Sequence, residues 1–110
     1  MVVSHVVILS FKPDISDADK EKALESLREI KDKALHPTTG KPLVKNLTGG
    51  KNNSPKNFNK GYQYAFTWEF DSPEDRDYYT FKDPYHALIT PLVISAVENV
   101  IVVDYTPDVY

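Results

Sequence analysis

Three histidines, His5, His36 and His86, are the side chains of this sequence best suited to moving protons near neutral pH, because imidazole titrates there unperturbed. They are scattered, without the His-x-x-x-His spacing that places two ligands on one helix face, so no metal site is expected. The absence of cysteine rules out a thiol nucleophile, a disulfide and a zinc–thiolate centre. Gly49-Gly50-Lys51 lacks the upstream glycine and the following Ser or Thr of a phosphate loop, and no serine sits in a Gly-x-Ser-x-Gly elbow. Histidine suits a general base near neutral pH, and no metal or cofactor is expected. His86 follows the helix-start pair Asp83-Pro84 and falls in the first turn. The positive dipole end there favours the neutral imidazole, and the Asp83 charge opposes it. Taken singly, each histidine fits a bland role equally well: His86 as a surface or capping residue, His5 as a satisfied core or interface residue, and Tyr79 as packing.

The elements that must position these groups follow from periodicity. Every even position from Tyr62 to Phe70 is aromatic and every odd one from Gln63 to Glu69 is small or polar, the period of a strand with one heavily apolar face. Val2 to Phe11 reads as a first strand, with His5, Val7, Leu9 and Phe11 on one face and Ser4, Val6, Ile8 and Ser10 on the other. Ser16, with Asp19 three residues on, caps a helix running to about Leu35 on Ala23, Leu24, Leu27, Ala34 and Leu35, ended by Pro37 and Gly40. Leu43 to Lys51 is a weaker strand, followed by a polar loop. Ser72-Pro73-Glu74-Asp75 starts a short helix carrying Tyr78, Tyr79 and Phe81, and Asp83-Pro84 starts another reaching about Asn99, with a kink expected at Pro91. Val100 to Tyr105 is the last strand. The order β-α-β-β-α-β, with the second helical element split in two, predicts the ferredoxin-like α+β fold: a four-stranded antiparallel sheet with helices on one face.

Residues 1–110 read as a single domain by length. A charged fraction of 26% and a hydrophobic fraction of 41% are ordinary for a folded soluble chain, and a net charge of −3 argues against nucleic-acid binding. The lysines between Lys41 and Lys60 sit among Asn, Ser, Gly and Pro and read as a solvated loop. No apolar run approaches the about 20 residues that span a bilayer, and Met1 to His5 lacks the basic start of a secretory signal, so a cytoplasmic location and no membrane partner are expected. In the last strand Val100 and Val102 point one way, and Ile101, Val103 and Tyr105 the other. Helices cover only one side of the sheet. The other would stay exposed in a monomer, so a homodimer packed through Ile101, Val103 and Tyr105 is predicted.

With these elements in place, the chain resembles the stress-responsive dimeric α+β barrel domain family over nearly its whole length. His5 to Lys12 resembles the opening strand, Gly61 to Phe66 with Glu69 to Ser72 the central strand and turn, Asp83-Pro84-Tyr85-His86 the Pro-x-His segment, and Val102 to Pro107 the closing strand. Each motif is weak alone; four in order are specific. The His36-Pro37 loop and Leu47 to Pro55 further resemble the fungal branch. The family includes stress proteins without a settled catalytic role and a plant polyketide cyclase that closes a linear polyketide by intramolecular aldol condensation. The resemblance implies His86 as base, His5 as a second pocket histidine and Tyr79, with Tyr78 as the alternative, as the assisting tyrosine. Tyr64 stands where the cyclase carries a histidine, a departure that bears on substrate and reaction. His5, Tyr64, Phe66, Val100 and Val102 can all face the helices, so a pocket for a small hydrophobic ligand is expected between helices and sheet. Two functions follow: a stability or binding protein with such a pocket, and a cofactor-independent cyclase-like enzyme.

Overall fold

The computed structural model describes residues 1–110. Its order is β1 (Val3–Phe11), α1 (Asp17–Arg28), α2 (Ile30–Lys33), β2 (Val44–Lys51), β3 (Tyr64–Phe70), α3 (Pro73–Phe81), α4 (Pro84–Ala96) and β4 (Val97–Tyr105). The strands form one sheet in the order β2-β3-β1-β4, antiparallel at every pairing. This is the ferredoxin-like topology expected. Val3, His5, Val7, Leu9 and Phe11 of β1 are buried together with Phe66, Trp68 and Phe70 of β3, beneath Leu24, Leu27, Ile89 and Val93 of the helices.

The helix starts are chemically plain. Ser16 Oγ accepts from the Asp19 amide at 3.1 Å, Ser72 Oγ from Asp75 at 3.1 Å and Asp83 Oδ2 from His86 at 2.8 Å, each satisfying an amide that the first turn leaves unpaired.

Four boundaries differ from the sequence reading. The first helix stops at Arg28, where the Glu29 amide is shared between Glu25 and Leu27 carbonyls, and resumes as the single turn α2. That break turns Ile30 and Ala34 into the core, while Leu35 leaves it, 41% exposed, to pair with Pro42. β3 begins at Tyr64, because Gly61 (φ 82°) and Lys60 (φ 56°) are in left-handed turn geometry just before it. α4 ends at Ala96, three residues early: Val97 and Asn99 already pair with Phe11 and Ser10 of β1, so helix passes into strand without a loop. α4 also runs through Pro91 unbroken.

One glycine is required by packing. Gly49 of β2 pairs with Phe66 of β3, and a Cβ there would overlap the Phe66 ring. The ring therefore lies across β2 rather than reaching toward the far edge of the sheet. Gly49→Ala should lower unfolding stability by about 1–3 kcal/mol, read from the urea midpoint; an unchanged midpoint would contradict this packing.

Candidate functional site

The helices do not cover the β4 edge as fully as the middle of the sheet. Between α3, α4 and the helix-facing side of β1 and β4 lies a cleft of about 400 Å³. Its walls are mostly apolar, with Val7, Leu27, Trp68, Ile89, Val93, Val100 and Val102 among them, and its charged and titratable groups are in contact with one another around His5 and Tyr79.

His5 and His86 both line it. Antiparallel register places His5 opposite Asp104 on β4 and Trp68 on β3. His5 Nδ1 lies 2.5 Å from Asp104 Oδ1. A carboxylate only accepts, so the Nδ1 proton is donated to Asp104 and Nε2 keeps its lone pair. Asp104 Oδ2 in turn accepts from Arg76 Nη1 of α3 at 3.3 Å. The His5 ring lies 4.5 Å from that of Trp68, tilted by 31°. Burial pulls the His5 imidazole below its ordinary pKa, and the charge and hydrogen bond of Asp104 pull the other way.

His86 sits in the first turn of α4, its ring 4.5 Å from that of Tyr79. Burial lowers its pKa as well, opposed by Asp83 and by a backbone hydrogen bond with Thr80. Tyr79 is buried, lines the cleft and touches both imidazoles edge to face or tilted. Burial, reinforced by Asp83, pushes its phenol well above the ordinary range, so it stays protonated and can only donate to a developing oxyanion. Tyr78, the alternative tyrosine, is half-buried beside the core and does not line the cleft.

The cleft thus brings together His5, His86, Tyr79, Val100 and Val102. It does not include Tyr64 or Phe66. Phe66 is buried over Gly49, and Tyr64 packs edge-on against Phe11, 5.6 Å between centroids, at the opposite end of the strand. The cleft lies instead at the level of Trp68, directly across from His5. His36 lies in a separate surface loop, where its Nδ1 accepts from the Thr38 and Thr39 amides. Asp104, Arg76 and Trp68 were missed by the sequence reading. Alternation puts Asp104 on the same face as Val100 and Val102, an acid in an aliphatic strand, and that signal was available. Nothing in the sequence marks Arg76. The Trp68 Nε1 donor is buried without a partner.

The chain matches the stress-responsive A/B barrel domain over residues 3–107. It belongs to that family. Olivetolic acid cyclase of Cannabis sativa is 28% identical over 107 residues, covering 97% of this chain and 98% of the cyclase. A hydroxynitrile lyase from Passiflora edulis shares the fold at 18% identity with a TM-score of 0.84, over 99% of this chain and 96% of the lyase. A dimeric ferredoxin-like protein of unknown function from Jannaschia shares it at 18% identity with a TM-score of 0.76, over 96% and 99%.

Both cleft histidines have depressed folded-state pKa values, so an unfolded chain, titrating near 6.5, binds more protons as the pH drops. Their stabilising contribution is full above that value and is lost as the pH falls through the lower folded values. Unfolding free energy measured in urea between pH 8 and pH 5 should decline more steeply below about pH 6.5 in the wild type than in His86→Gln; identical slopes would contradict a half-buried His86 that resists protonation.

Proposed function

We propose that residues 1–110 form a single domain that binds a small hydrophobic carbonyl compound in the β4-edge cleft and catalyses proton transfer at the carbon next to the carbonyl, with no metal or cofactor. The observation that carries this reading is the convergence of two neutral imidazoles and one un-ionised phenol in one largely apolar cleft. His86 takes the α-proton. The electrons of the broken C–H bond move to the carbonyl oxygen, and the Tyr79 hydroxyl donates to the resulting enolate. His5, oriented by Asp104, presents Nε2 to carry a proton on the same molecule. Where the same molecule carries a second carbonyl several carbons further along, the enolate carbon adds to it and closes a ring, and the alkoxide so formed takes back the proton held by His86; this aldol addition is the reaction class of the cyclase that the chain resembles. The similarity to olivetolic acid cyclase supports this class.

Binding without turnover is the second reading. It draws on Tyr64, which stands where the cyclase carries a pocket histidine and here packs on Phe11 outside the cleft.

The chain further acts as a homodimer through the face of the sheet opposite the helices. Ile101, Val103 and Tyr105 are 39%, 50% and 53% exposed in the single chain. In register they neighbour Ile8, Val6 and Ser4, forming an apolar patch over the β1–β4 half. The other half of that face is polar, with Thr48 beside Thr67. The similarity to dimeric ferredoxin-like proteins supports the assembly.

Two measurements test these readings. Hexanophenone in D₂O exchanges its α-protons slowly. The protein should accelerate that exchange, followed by NMR, and His86→Ala should lose about 10²-fold or more of the acceleration while remaining folded. Saturable binding with no accelerated exchange would leave only the binding reading. In sedimentation, the wild type should run as a dimer and Val103→Glu as a folded monomer; a monomeric wild type would overturn the assembly.

A further inference from the structure

The polar part of the cleft has a charge pattern that bears on which ligands it admits. Arg76 is its only permanent cation, and a lone guanidinium at a cleft mouth is the usual receptor for a carboxylate. Here that guanidinium is already engaged twice. Its Nε donates to Asp77 Oδ1 at 2.8 Å and its Nη1 to Asp104 Oδ2 at 3.3 Å. Asp77 and Asp104 both line the cleft beside it. Two carboxylates against one guanidinium leave the lining with a formal charge of −1 when both imidazoles are neutral, and buried Asp83 lies just behind His86. Apart from Thr80 and Thr90, the rest of the walls is aliphatic and aromatic, with Val100, Val102, Ile94 and Phe81 at the open side. An anionic headgroup would meet net repulsion at the polar part and lose its hydration among apolar walls. An uncharged ketone loses little and can still accept from Tyr79.

We propose that the cleft selects uncharged alkyl or aryl ketones over carboxylates of the same size, and that Asp77 sets this preference by occupying Arg76. The inference rests on the reading of the cleft as a binding site and adds the class of ligand. The two positions differ in role. Asp104 orients His5 and cannot be changed without disturbing the imidazole. Asp77 touches only Arg76 among the polar groups of the cleft, and its carboxylate is more than half exposed. Replacing it by asparagine therefore removes one negative charge and leaves the guanidinium Nε with at most a neutral acceptor, while the Asp104 bond to Nη1 stays and the core is not emptied. Because the pair faces solvent, the preference should also narrow as salt is added.

Trp68, the single tryptophan of the chain, is a cleft residue against His5 and reports occupancy by its fluorescence. The test compares hexanophenone with 4-pentylbenzoate, which has the same number of carbon atoms and an ionised head at pH 7.5. Trp68 emission and saturation-transfer NMR are read for the wild type and Asp77→Asn. The wild type should bind the ketone with an affinity about tenfold or more above that of the benzoate. In Asp77→Asn the benzoate should gain most of that factor while ketone affinity changes by less than about twofold. Benzoate binding as tight as the ketone in the wild type, or a gap unchanged in Asp77→Asn, would overturn the proposal and leave the binding site standing. Failure of the wild type to bind either probe by both readouts would overturn the site itself.

Discussion

The hydrogen bond between His5 and Asp104 is the contact on which the rest of the site depends. It spans β1 and β4 where both strands wall the cleft. By accepting from Nδ1, the carboxylate fixes the tautomer and leaves Nε2 as the basic atom. Its second oxygen takes Arg76, which ties α3 to the same strand. One side chain of β4 thus orients a base, anchors a helix and sets the charge at the cleft's polar part. Burial of the imidazole would by itself oppose any charge on it; Asp104 returns part of that loss.

The second constraint is that β4 is an edge strand with helices over only part of it. Val100 and Val102 remain 37% and 56% exposed on the helix side, and Ile101 and Val103 are exposed on the reverse. A strand that is apolar on both faces and covered fully on neither can serve two purposes at once. Its even positions wall a cleft, and its odd ones lie exposed on the reverse face beside Val6 and Ile8. The rest of the sheet's aromatic face has no such freedom: Phe66 and Phe70 are sealed beneath the helices, and Phe66 is further held by the close approach of Gly49. Acid–base groups at the edge, aromatic packing at the centre and an apolar reverse face over one half are consequences of the same strand order.

The topology was legible because it is written in short-range signals. Alternation marks β1, β3 and β4, and the Ser16, Ser72 and Asp83 caps mark the helix starts within a residue. The misplaced ends lie where tertiary pairing overrides local preference. Val97 and Asn99 are taken from the helix by β1, and Leu35 is taken from it by Pro42. As residues that line the cleft, His5 was legible through alternation and the family resemblance, and His86 and Tyr79 through the resemblance alone. Depth along a strand was not. Tyr64, Phe66, Trp68 and Phe70 share a face, and only the three-dimensional position of the helices decides that the cleft meets Trp68 and not Tyr64. Arg76 was illegible for the same reason, since its role depends on α3 lying against the end of β4, a contact between residues far apart in the chain.

The most direct test of this account is the tautomer of His5, read from a long-range ¹H–¹⁵N correlation spectrum at pH 7.5. The account requires a neutral ring protonated at Nδ1, with that proton shifted downfield by its short bond to Asp104, and an unprotonated Nε2. A ring protonated at Nε2, or one averaging rapidly between both forms as a solvent-exposed imidazole does, would contradict it.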